Sequence, residues 1–141
     1  MNQTPCNELT VHATVENLTS VQAFVESELE RVGCPMKTML QFSIAVEEIY
    51  VNIAHYAYAC PPGKATVRFW TEGSPAYAVV QFLDSGMPFN PLEKPDADIT
   101  QSAAERQIGG LGILMVKKSM DDMIYAYENG YNILTLRKRL L

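Results

Sequence analysis

Glu48 and Asn52 are polar residues within a long, mostly apolar segment that runs from Met36 to Ala59. In a helix, a spacing of four places both side chains on the same side. A carboxylate there could accept a proton from an attacking hydroxyl, and an amide oxygen is a hard ligand that suits Mg²⁺. Taken alone, the motif favours a structural role, in which both side chains bond backbone groups or water. The adjacent Glu47 is an alternative base.

A second cluster, residues 84–91, follows directly after a predicted strand. Asp84 at the strand end can accept a hydrogen bond from an exocyclic amine. Gly86, two residues later, lets the backbone approach a flat ring closely. A plain turn is the alternative interpretation, because Asp, Ser, Gly and Pro all favour turns.

A third cluster, residues 109–113, is rich in glycine and opens a predicted helix. The first N–H groups of a helix and its dipole together favour bound phosphate. The cluster matches neither the dinucleotide-binding fingerprint nor the Walker A loop. A flexible hinge is the alternative.

The predicted elements place these clusters in a layered domain. Their order is β-α-α-β-β-loop-α-β-β, which predicts an α+β fold with helices on one face of a mainly antiparallel sheet. We expect the long helix to be central and packed on more than one side, and its sheet-facing residues to be Phe42, Ala45, Ile49 and Ile53. The predicted strands are 7–15, 65–71, 76–83, 122–128 and 131–137; the predicted helices end near 33, 59 and 119.

Bulk properties limit the function classes. A length of 141 residues predicts one domain, 1–141, and the formal net charge of −5 argues against direct nucleic-acid binding. The three cysteines, Cys6, Cys34 and Cys60, are widely spaced, so neither a zinc site nor a disulfide framework is predicted. We expect a cytoplasmic protein without membrane contact, since the sequence has neither a signal-like start nor an apolar run of about 20 residues.

In this order the three clusters resemble the N, G1 and G2 boxes of the GHKL (Bergerat-fold) ATPase family. The resemblance covers about residues 36–138. Residues 84–91 and 110–116 further resemble the branch of anti-sigma-factor serine kinases. It implies a two-layer α/β sandwich with a mainly antiparallel mixed sheet and a nucleotide lid at about 92–108.

The resemblance also implies roles for individual residues. Glu48 matches the catalytic glutamate, Asn52 the Mg²⁺ ligand, and Asp84 the residue that binds the adenine amino group. The implied cofactors are ATP or ADP and Mg²⁺. The remaining implied nucleotide-binding residues are Gly86 beneath the base, Gly110 and Gly112 at the phosphates, and Pro88 and Leu111 in the same motifs.

The partners are likewise implied by the resemblance. Such kinases phosphorylate a serine on a small antagonist protein and alternately bind a sigma factor, and a homodimer is compatible with this assignment. The main alternative is a non-catalytic module that uses the nucleotide as a structural ligand and sequesters a protein partner. A third alternative is an interaction domain that binds no nucleotide.

Overall fold

A computed structural model describes residues 6–58, 63–73, 76–93 and 110–140. Short 3-10 turns lie at Val15–Asn17 and Pro91–Glu93. The predicted lid at 92–108 is described only for its first two residues; the rest, with the helical turn predicted near 102–106, lies outside the described residues. The helices and strands, in chain order, are β1 (Asn7–His12), α1 (Leu18–Arg31), α2 (Met36–Tyr56), β2 (Lys64–Glu72), β3 (Tyr77–Asp84), α3 (Gly110–Ser119), β4 (Asp122–Glu128) and β5 (Tyr131–Arg139).

The five strands form one sheet in the order β1-β2-β3-β5-β4, and each of the four pairings is antiparallel. The two-residue hairpin between β4 and β5 is confirmed. Asn129 and Gly130 both have positive φ, 54° and 84°, as a type I′ turn requires. This hairpin places Asn132 of β5 opposite Tyr127 of β4, and the pairing of β5 with β3 places Asn132 opposite Asp84.

The first strand is shorter than the predicted 7–15. The chain turns after His12, whose carbonyl oxygen accepts hydrogen bonds from Thr14 N and Asn17 Nδ2, both at 2.8 Å. Those bonds turn the backbone into the 3-10 turn that leads to α1. The alternation of apolar residues therefore continues to residue 15, beyond the end of the strand.

The helices cover one face of the sheet, and α2 lies between α1 and α3. The predicted sheet-facing residues of α2, which are Phe42, Ala45, Ile49 and Ile53, are all buried. Burying each large apolar side chain stabilises the fold by roughly 1.5–3 kcal/mol. Central packing of α2 is therefore confirmed, although its outward side is exposed at Met36, Leu40 and Ile44.

Tyr58 fixes the point where α2 meets the sheet. Its hydroxyl donates to Lys64 O at 2.6 Å and accepts from Ser85 N at 2.9 Å. The end of α2, the start of β2 and the loop after β3 are thereby joined at one side chain. No helix within the described ranges is long and apolar enough to cross a membrane.

Candidate nucleotide site

An apolar cleft lies between α2 and the sheet. Its walls come from α2, β3, β4, β5 and the loop after β3, and most of the lining side chains are apolar. Binding sites for small molecules commonly have this form, with a few polar groups that fix the orientation of the ligand. The polar residues in the lining are Asn52, Asp84, Tyr125 and Asn132.

Asp84 is the buried acid of the cleft, at 5% exposure. Its Oδ1 accepts hydrogen bonds from Gly86 N at 3.0 Å and from Asn132 Nδ2 at 2.9 Å. Burial raises the pKa of Asp84, and these two bonds partly oppose the rise. Among the described residues no donor reaches Oδ2, so this oxygen is available to an N–H group of a ligand.

Gly86 is required by a close contact between the loop and α2. A Cβ at this position would lie 2.0 Å from Ala57 O, at the end of the helix. The same carbonyl accepts a hydrogen bond from Met87 N at 2.9 Å. The loop can therefore bond to the helix end only with glycine at position 86. Pro88 is exposed and is not part of the cleft lining as the structure describes it.

Glu48 and Asn52 share one side of α2, as predicted. Asn52 lines the cleft, and its Nδ2 lies 3.5 Å from Glu48 Oε1, a long hydrogen bond. Glu48 is half-buried, and burial raises its pKa; the Asn52 bond opposes the rise and the charge of Glu47 adds to it. Glu47 is exposed. Glu48 is thus the glutamate placed beside Asn52.

The first turn of α3, which includes Gly110, Leu111 and Gly112, adjoins this pair. A Cβ on Gly112 would lie 2.2 Å from both Cδ and Oε2 of Glu48. Glycine at this position therefore lets the helix start approach the carboxylate without displacing the Glu48 side chain. The predicted catalytic residue and the predicted phosphate-binding turn meet at this contact.

Asn132 and Tyr125 also belong to the cleft, although the sequence motifs include neither. Asn132 is 6% exposed and bonds Asp84, while the Tyr125 hydroxyl donates to Asn132 Oδ1. One sequence signal pointed to Asn132: it occupies an inward position of β5, in alternation with the buried Leu134 and Leu136. A polar residue there requires hydrogen-bond partners.

The donor set bears on the metal that the resemblance implies. No group of three or more His, Cys, Asp or Glu that could hold a metal occurs among the described residues. Asn52 supplies an amide oxygen, because its Nδ2 is directed to Glu48. Mg²⁺ keeps several waters and binds through few protein oxygens plus substrate phosphates. The site therefore fits Mg²⁺ held jointly with a nucleotide.

Comparisons with known proteins agree with this geometry. Serine-protein kinase RsbW of Bacillus mycoides (strain KBAB4) is 24% identical over 131 residues, covering 90% of this chain and 81% of the relative. Serine-protein kinase RsbW of Bacillus cereus (strain ATCC 10987 / NRS 248) is 22% identical over 129 residues, with the same coverage.

Among solved structures, the crystal structure of the RsbU and RsbW domains of Rv1364c from Mycobacterium tuberculosis aligns with a TM-score of 0.66 at 16% identity. The alignment covers 97% of this chain but spans only 33% of that larger protein. It shows the fold. The family model described as histidine kinase-like ATPase domain matches residues 11–138, so the chain belongs to the histidine kinase-like ATPase domain family.

Proposed function

We propose that this protein binds ATP in the cleft and transfers its terminal phosphoryl group to a serine of a small antagonist protein. The proposal depends mainly on the environment of Asp84. Its carboxylate is buried on the wall of an apolar cleft, and no donor among the described residues bonds its Oδ2. Such an oxygen accepts the amino group of adenine, while the apolar walls hold the ring.

The rest of the nucleotide extends toward α3. The first turn of that helix offers N–H groups that favour phosphate, and Gly112 brings the turn against Glu48. The phosphates and the catalytic carboxylate therefore lie beside Asn52 and the start of α3, with the base at Asp84. Asn52, which lines the cleft, would hold Mg²⁺ through its amide oxygen.

Glu48 orients the incoming serine hydroxyl and accepts its proton. Its raised pKa makes it a stronger base than an exposed glutamate. Bound Mg²⁺ would neutralise charge on the phosphates, and phosphoryl transfer depends mainly on such neutralisation and on positioning. The chain's own contribution is the placement of Glu48, Asn52 and the turn at Gly112.

The proposed protein substrate follows from the similarity to serine-protein kinases over nine tenths of the chain. We assign it to the small antagonist class, with a sigma factor as the alternate partner, and the reaction to the cytoplasm. The exposed apolar side chains on the outer side of α2 include Leu40 and Ile44, which are available for contact with a protein.

A single-turnover assay tests the proposal. The purified protein, loaded with ATP labelled in the γ-phosphate, is mixed with candidate antagonist domains, and labelled phosphoserine is measured by mass spectrometry. We expect transfer to one candidate and none when its serine is replaced by alanine. Nucleotide binding with no transfer to a candidate that forms a stable complex would instead support a non-catalytic, sequestering module.

A further inference from the structure

Asn132 lies directly opposite Asp84 on the neighbouring strand, and its amide makes four hydrogen bonds. Nδ2 donates to Asp84 Oδ1 and to Met87 O, each at 2.9 Å. Oδ1 accepts from Phe89 N at 3.0 Å and from the Tyr125 hydroxyl. These bonds use both donors and both lone pairs of the amide. One side chain thus joins β3, β4 and the loop after β3.

The orientation of this amide is settled by two backbone groups. The Met87 carbonyl oxygen can only accept, and the Phe89 N–H can only donate. Nδ2 must therefore face Met87 and Oδ1 must face Phe89. It follows that the Tyr125 hydroxyl donates and that Asp84 Oδ1 accepts.

The consequence for Asp84 is that one of its oxygens is fully engaged. Oδ1 holds two donors, Asn132 Nδ2 and Gly86 N, while Oδ2 has none within the described part of the chain. Rotation of the carboxylate would break both bonds in a site that is 5% exposed. Unpaired buried polar groups are costly, so the bonds keep Oδ2 as the oxygen left to the cleft.

Building on the ATP site proposed above, we propose that Asn132 is the positioning residue that sets the preference for adenine over guanine. It contacts Asp84 rather than the base. An acceptor-only oxygen fixed at the cleft bonds the amino group at C6 of adenine. The same oxygen faces a carbonyl oxygen in guanine, and two acceptors leave each other unpaired. Among residues of similar size, only asparagine supplies two donors and an acceptor together.

Calorimetry with Mg-ADP and Mg-GDP tests this role. We expect the wild type to favour ADP by more than about 100-fold, since a site built to bond a donor rejects an analogue that lacks it. Asn132→Leu should reduce this ratio by about tenfold or more, the value of one or two bonds to a charged group. Tyr125→Phe should reduce it only by about two- to fivefold, because Met87 and Phe89 still orient the amide.

Gln81→Leu is the matched control. Gln81 Nε2 donates to Thr135 Oγ1 at 3.1 Å, which is also a side-chain bond between β3 and β5. This pair is offset from the pair of Asp84 and Asn132 by three positions on each strand, an odd number, so it lies on the opposite face of the sheet. The control should lose stability without a change in the ratio.

The outcomes separate the two proposals. A wild-type protein that binds neither nucleotide defeats the ATP site, and the role of Asn132 with it. A selective wild type whose ratio is unchanged in Asn132→Leu, despite a lower melting temperature, overturns the inference alone. If Asn132→Leu does not fold, Asn132→Thr and Tyr125→Phe decide: both must show a reduced ratio, and an unchanged ratio in either overturns the inference.

Discussion

The candidate site has two ends, one at Asp84 and Asn132 and the other at Glu48 and Asn52, and they differ in how completely their side chains are bonded within the protein. At the end with Asp84 and Asn132, four hydrogen bonds measure 2.9–3.0 Å and both side chains are buried. At the end with Glu48 and Asn52, the two side chains are half-buried and approach only to 3.5 Å. The hydrogen bonds of the first end are already formed without a ligand. At the second end, the polar atoms of Glu48 and Asn52 can still form hydrogen bonds with a ligand.

The difference has a structural origin. Asp84 and Asn132 face each other across a continuous antiparallel strand pair, whose register fixes their separation. Glu48 and Gly112 instead come from two packed helices, whose contact depends on side chains. We infer that the base is recognised by a preformed group, and that the catalytic end gains its final contacts from the phosphates and the protein substrate.

Glu48→Gln tests the catalytic end with the largest expected effect. The change retains size and helix propensity but removes the basic oxygen. We expect phosphoryl transfer in single turnover to fall by about 10²–10⁴-fold, the usual contribution of a general base. Calorimetric affinity for Mg-ATP should stay within about threefold, because the adenine contacts at the other end of the cleft are untouched.

Glu47→Gln is the control for that variant, since it makes the same chemical change one residue earlier. Glu47 is exposed and points about 100° away on the helix, so transfer should fall less than about threefold. An inactive Glu47→Gln with an active Glu48→Gln would reverse the assignment of the base. Normal transfer in both would remove α2 from catalysis.

Asp84→Asn tests the preformed end. The two donors from Gly86 and Asn132 require an oxygen at the Oδ1 position, so the new NH₂ group must face the base. This NH₂ group and the amino group of adenine are both donors, so the hydrogen bond that Asp84 Oδ2 accepts would be lost. We expect affinity for Mg-ATP to fall by about 10–100-fold, the value of a hydrogen bond to a charged group, as measured by calorimetry. Unchanged affinity would count against adenine binding at Asp84.

Much of the fold could be predicted from the sequence. The hairpin at Asn129 and Gly130 and the inward side of α2 follow from local turn chemistry and periodicity, and both are confirmed. The first strand was predicted too long because apolar alternation continues past His12, where side-chain and backbone bonds turn the chain. Periodicity records which residues face inward, but not where strand pairing stops.

The site was predictable in part. Sequence spacing placed Glu48 beside Asn52, and the structure brings Asn52 to the cleft that Asp84 lines, with Glu48 bonded to it. Alternation in β5 marks Asn132 as an inward polar residue, but its contacts with Asp84 and Tyr125 could not be predicted, since they depend on the register of β3, β4 and β5. The close contact at Gly86 also depends on the position of a helix end, which no local pattern gives.

The smallest expected effect concerns stability and the same Asp84→Asn variant. Burial raises the pKa of Asp84 above the ordinary value of 3.8, so the folded protein holds this proton more tightly than the unfolded chain does. The stabilisation from protonated Asp84 is therefore complete below about pH 3.8 and is lost as the pH rises through the folded-state pKa. Asparagine does not titrate and keeps an oxygen for the two donors.

The stability of Asp84→Asn relative to wild type should therefore increase from pH 4 to pH 7. Its size should be that of an ordinary single substitution, about 1 kcal/mol. Urea unfolding of both proteins across this pH range measures the difference, and the other carboxylates cancel because they are common to both. If the difference in free energy of unfolding between Asp84→Asn and the wild type is constant, or decreases with pH, the two donors fully compensate for burial of the ionised carboxylate. The preformed end would then not destabilise the fold.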